Sequence, residues 1–166
     1  MSIRKAGFAA AVLCGLSIGM TASQAALMKG QAAPDFTGAA LDGRKIILSD
    51  YRGKNPVVVG FFARFVPASQ KEFAHLKQLD DRSGGKGLKV LAVSLDEDRE
   101  SPAGLVRQHG ARFPVLFDPK SLIGGKYNVQ ALPHTVVIDR DGKVITVVIG
   151  VDRDAVERAV EAALKG

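Results

Sequence analysis

The chain has 166 residues, 46% of them hydrophobic and 24% charged, which suits one domain with its own core and excludes disorder by composition. Its net charge of +6 is a mild excess spread along the chain, and Arg4 and Lys5 supply two of the positive charges. No basic run is interleaved with aromatics, so nucleic acid is not an expected partner.

Residues 1–25 read as a secretory signal. Arg4 and Lys5 give a positive start, Ala6 to Met20 is mostly small and apolar, and Ala22-Ser23-Gln24-Ala25 ends it at cleavage-type spacing. The apolar run falls short of the ~20 residues that span a bilayer. The expectation is therefore export to the periplasm or medium with cleavage near Ala25; an uncleaved leader would act as a membrane tether. The single cysteine, Cys14, lies inside this segment, and Leu13 before it is too bulky for a lipoprotein box. Cleavage as expected leaves no thiol, and so neither an intrachain disulfide nor cysteine nucleophile chemistry.

The domain is expected over residues 30–166. Residues 28–36 are a lead-in containing Pro34, and residues 37–48 a hairpin around the turn dipeptide Asp42-Gly43. Pro56 to Phe62 opens with the β-branched apolar run of a strand buried on both faces. It passes directly into a helical pattern. Pro67 suits a first helical position, and the helix is expected to reach about Arg82, with Phe73, Leu76 and Leu79 as its buried stripe. His75 lies beside that stripe and reads as a core or rim histidine, since no second metal-type residue sits at suitable spacing. Residues before Pro67 stand where helix amides point outward and the dipole is positive, a common place to keep a reactive group.

Lys89 to Leu95 reads as a second buried strand. The acidic run Asp96-Glu97-Asp98 after it is expected to be a solvated turn leading into a helix, rather than a cation site. Glu100 to His109 is a short helix closed by Gly110, and Phe113 to Phe117 a short strand. Pro119 to Asn128 is a one- or two-turn helix broken at Gly124-Gly125. Asp141-Gly142 turns a hairpin between Ala131–Asp139 and Val144–Ile149. The last helix is expected to start at Asp154-x-x-Glu157 and to bury Val156, Ala159, Val160, Ala163 and Leu164. This order gives an α/β fold in which a parallel βαβ unit is followed by a hairpin and helix, making the sheet mixed.

The segment Phe61-Phe62-Ala63-Arg64-Phe65-Val66-Pro67-Ala68-Ser69-Gln70-Lys71-Glu72 resembles the active-site run of thioredoxin-like proteins of the TlpA/ResA type and their AhpC/TSA (redoxin) relatives. Those carry an aromatic pair, Ala-x-Trp, Cys-x-Pro-Cys and Lys-Glu. The resemblance extends through Gly30-x-x-Ala33-Pro34-x-Phe36, the Leu48–Lys54 link and Leu132-Pro133 to Gly142, and so covers residues 30–166. It implies a thioredoxin-like fold with a mixed central sheet flanked by helices, an N-terminal β-hairpin and a cis Leu132–Pro133 bond facing the active-site helix. It also places Val66 and Ser69 on the two family cysteines, Phe65 on the tryptophan and Glu72 on the retained acid. The proline sits one place early.

Val66 has nothing to ionise, and a serine hydroxyl is a weak nucleophile without a base. His134 is the one histidine the resemblance brings near. A Ser69/His134/Glu72 hydrolase site would follow from such proximity, but isolated Ser and His matches are mostly accidental. Ser69 is instead expected to satisfy or solvate the first turn, and Glu72 to serve as a first-turn acid facing the dipole. Copper delivery, peroxidase chemistry at a loop cysteine and covalent haem attachment all need cysteines that residues 26–166 lack.

Two functions are thus weighed. The first is a redox-inactive module of the cell envelope that needs no metal or cofactor and holds an extended peptide or protein partner against Phe65, Val66, Pro67, Ala131, Leu132, Pro133 and His134. The second, which the resemblance implies by default, is a thiol–disulfide oxidoreductase or peroxidase.

Overall fold

The computed structural model describes residues 26–166; the expected signal segment and Cys14 lie outside them. Two short antiparallel strands, β1 (Thr37–Ala39) and β2 (Lys45–Ile47), form the N-terminal hairpin. The main sheet contains β3 (Val57–Phe62), β4 (Lys89–Ser94), β5 (Val115–Phe117), β6 (His134–Ile138) and β7 (Val144–Ile149), in the order β5-β4-β3-β6-β7. The helices are α1 (Pro67–Ser83), α2 (Glu100–His109), α3 (Leu122–Lys126) and α4 (Arg153–Lys165).

β3 is central, and all six of its residues are buried. It pairs in parallel with β4 and antiparallel with β6, so the sheet is mixed. Burial on both faces explains its unbroken apolar run: with helices packed on a sheet, neither side of the strand meets water. Side chains alternate between two cores. Val58 and Phe62 join Phe73, Leu76 and Leu79 of α1 and Val156 and Val160 of α4. Val57, Val59 and Phe61 face the opposite core with Phe36, Tyr127 and Val136.

The pairing of Phe61 with His134 brings the start of β6 to the end of the sheet where β3 hands over to α1. β4 and β5 end there too, because Ser94 lies beside Phe62 and Phe117 beside Ser94. The Leu132–Pro133 peptide bond, immediately before β6, is cis.

Three local expectations are corrected. Gly124 and Gly125 do not break α3; they lie within it. The Asp118 carboxylate accepts the Leu122, Ile123 and Gly124 N–H groups at 2.8, 2.8 and 2.9 Å, which holds the turn despite poor glycine propensity. A Cβ at 124 would stand 2.6 Å from Ser121 Oγ, so a larger residue there would require that hydroxyl to shift. α4 starts earlier than expected. Its cap is Asp152, whose carboxylate accepts the Ala155 N–H at 3.0 Å, and not the Asp154/Glu157 pair. Finally, Leu164 is only half-buried, whereas Val156, Ala159, Val160 and Ala163 are buried.

Candidate functional site

The site is built on the β3–α1 junction. Ala63 is buried, then Arg64 and Phe65 emerge, and Val66 caps α1 with extended backbone and no side-chain hydrogen bond. Pro67 is the first helical residue. The short loop is pinned from three sides. Asp96 accepts the Arg64 N–H on both carboxylate oxygens, at 2.9 and 3.1 Å. The Gln70 amide donates to the Arg64 carbonyl at 2.9 Å, and the Val66 N–H donates to the Ala63 carbonyl at 3.1 Å. Phe65 is therefore held out by a fixed backbone with 77% of its surface exposed.

Asp96 is not the solvated acid expected from the sequence. It is buried, and the Ser94 hydroxyl donates to it at 2.9 Å, so its role is to tie the end of β4 to the loop after β3. Glu97 and Asp98 are exposed. Asp98 accepts the Ser101 N–H at 2.7 Å and its hydroxyl at 2.9 Å, and these bonds hold its carboxyl below the usual range. Among the described residues, no cluster of three or more His, Asp or Glu side chains is arranged to hold a metal.

Below the loop, the inner face of α1 is polar. Ser69, Glu72 and His75 follow one another at helical spacing, and all three are buried. Two expectations fail here. Ser69 does not solvate the first turn: its side chain is fully buried, and Oγ makes no hydrogen bond. Glu72 is not a first-turn acid, because with Pro67 first it occupies the second turn, and the first turn contains no acid. Glu72 instead crosses to the sheet, where the Thr135 hydroxyl donates to Oε1 at 3.0 Å. Its Oε2 has no partner.

His75 is a core histidine. Its Nδ1 lies 3.7 Å from Glu72 Oε1 and its Nε2 lies 3.3 Å from Glu157 Oε1 on α4. Arg82 closes the chain to solvent with a 2.7 Å ion pair to Glu157, whose carboxyl is lowered mainly by that arginine. The Glu72–His75 contact is legible as an i,i+3 pair on a helix. Glu157 is 82 residues from His75 and gave no sequence signal.

His134 is also buried, with its ring edge-on to Phe61 at 5.8 Å, and neither nitrogen is hydrogen-bonded. Burial lowers its pKa and favours the neutral ring. No hydrogen bond joins Ser69, His134 and Glu72, so the nucleophile–base contact of a hydrolase is not made. Of the residues expected to meet a peptide, Phe65, Pro67 and Ala131 are exposed, and Val66 and Leu132 are half-exposed. Pro133 and His134 are buried, the latter at the start of the strand that pairs with β3, so neither is exposed as the expected peptide contact requires.

A mixed sheet in which a buried central strand feeds the exposed N-terminus of a helix, with a cis proline at the start of the neighbouring antiparallel strand, defines a thioredoxin-like domain. The chain belongs to the AhpC/TSA family, whose model matches residues 29–147. It is 33% identical over 144 residues to the thiol-disulfide oxidoreductase ResA of Bacillus cereus, an alignment covering 84% of this chain and 83% of that protein. It is 34% identical over 132 residues to the ResA of Bacillus thuringiensis, covering 80% and 76%. Among solved structures, a Chlorobium tepidum protein described as a thiol:disulfide interchange protein DsbE superposes with a TM-score of 0.77 at 33% identity, covering 84% of this chain and 99% of that one. These relatives are named for chemistry between thiols and disulfides. This chain has one cysteine, Cys14, and none at residues 26–166.

Proposed function

We propose that the protein is an exported, redox-inactive thioredoxin-like module that binds an extended segment of a protein partner in the cell envelope. The observation that carries this reading is the cap of α1. In the frame that the family resemblance supplies, Val66 and Ser69 stand at the two cysteine positions, so no thiolate can form at the helix N-terminus. What remains exposed is an apolar, prearranged contact surface made of Phe65, Val66 and Pro67, with Ala131 and Leu132 before the cis proline. A surface already fixed in its bound shape loses little entropy on binding.

The test is to restore the chemistry. The double variant Val66→Cys, Ser69→Cys is expected to gain dithiol–disulfide exchange with insulin as substrate. A folded double variant that stays inert would show that these positions are not those of the family's redox pair.

A further inference from the structure

An open groove of about 610 Å³ beside α1 runs from the exposed Phe65 ring towards the start of α2. Exposed Phe65, Glu97 and Asp98 line it together with half-buried Leu95 and buried Asp96. Among the described residues, the only cation lining it is Arg64. That side chain lies along α2: its Nη1 reaches the Ser101 carbonyl at 3.5 Å, and a Cβ on Gly104 would meet Nη1 at 2.3 Å. Gly104 therefore makes room for the guanidinium. Two neighbouring arginines are engaged elsewhere. Arg99 lies over the Phe117 ring at 5.3 Å and donates to the Leu41 carbonyl, while Arg107 pairs with Glu100.

Among the described residues, Glu97 and Asp98 make no ion pair with any of these cations, and Asp98 is held ionised by its bonds from Ser101. A partner entering the groove thus meets an exposed aromatic ring and two exposed carboxylates that, among the described residues, have no ion-pair partner. An aromatic face attracts a cation, and nearby carboxylates accept its N–H groups.

We infer that the partner segment carries a lysine or arginine next to an apolar residue, with the cation seated between Phe65 and the Glu97/Asp98 carboxylates of this groove. The inference rests on the peptide-binding reading and specifies its partner. Charge complementarity selects such a segment over a neutral or acidic one.

The experiment is an NMR titration of the full chain with three capped pentapeptides, Ala-Leu-Lys-Leu-Ala and its Gln and Glu counterparts. The lysine peptide is expected to bind about fivefold tighter than the glutamine peptide, the combined effect of an exposed cation–aromatic contact and an exposed ion pair. Its shifts should centre on residues 64–66, 97 and 98. Glu97→Lys should bring the lysine and glutamine peptides to equal affinity, and Phe65→Ala should weaken the lysine peptide. Three peptides bound equally, with shifts at Phe65 and Leu132, would overturn this inference and leave the binding module standing. No shift with any peptide at millimolar concentration would overturn both.

Discussion

Two helix beginnings in this molecule are built on opposite principles. α4 starts with Asp152 accepting the Ala155 N–H, and Asp154 supplies a first-turn acid. α1 is the longer helix and the one at the centre of the fold, yet it starts with a valine cap, no first-turn acid and no side-chain acceptor. Among the described residues, five buried side-chain polar atoms without hydrogen-bond partners lie in four residues, three on the inner face of α1 and the fourth, His134, on the strand that carries Thr135. Helix ends that serve only the fold are normally satisfied by their own side chains. The contrast leaves α1, the central helix, as the one of the two that starts with neither a side-chain acceptor nor a first-turn acid.

The first way to sharpen the comparison is to remove a satisfied start. Asp118→Ala deprives three α3 N–H groups of their acceptor and should lower stability by about 2–3 kcal/mol in denaturant unfolding. Next, Thr135→Val keeps the shape but takes away the one donor to the buried Glu72; it should cost about 2 kcal/mol. Asp152→Ala, at the α4 cap, should cost about 1 kcal/mol. Val66→Asp should move α1 the other way, gaining roughly 0.5 kcal/mol, since it adds the missing acceptor at an end the dipole makes positive. A loss of stability on that change would break the comparison.

The smallest effect concerns pH. Glu157 has a folded pKa below the ordinary 4.5, chiefly through Arg82. Its contribution is therefore complete above that ordinary value and fades as pH falls through the lowered one. Comparing Glu157→Gln with the parent should show a difference in stability at neutral pH that shrinks on acidification below about pH 4.5; because the pair is partly exposed, the effect is expected at the low end of surface ion pairs, under ~1 kcal/mol.

Much of the fold was legible because its signals are local. The β3 run buried on both faces, Pro67 at the first helical position and the Asp141-Gly142 turn each declare themselves within a few residues. Phe65, Val66 and Leu132 neighbour those signals, and their exposed or half-exposed placement was legible from them. What escaped depends on distance in sequence. Asp96 appears as one of three acids in a row, and only its approach to the Arg64 N–H makes it a buried tie. Gly124 looks like a breaker until Asp118 is seen holding its N–H. Glu72 and His75 are readable as neighbours on one helix, but Thr135 and Glu157 reach them from β6 and α4. His134 follows a proline that the resemblance sets against α1, and only its pairing with β3 shows it to be buried.

The most direct measurement is turnover of insulin disulfides and of hydrogen peroxide by the purified wild-type protein, with dithiothreitol as reductant and no other protein present. The account predicts rates indistinguishable from those without the protein, because no residue at the α1 N-terminus can carry the electrons. Turnover that rises in proportion to protein concentration, and survives Cys14→Ser, would contradict it.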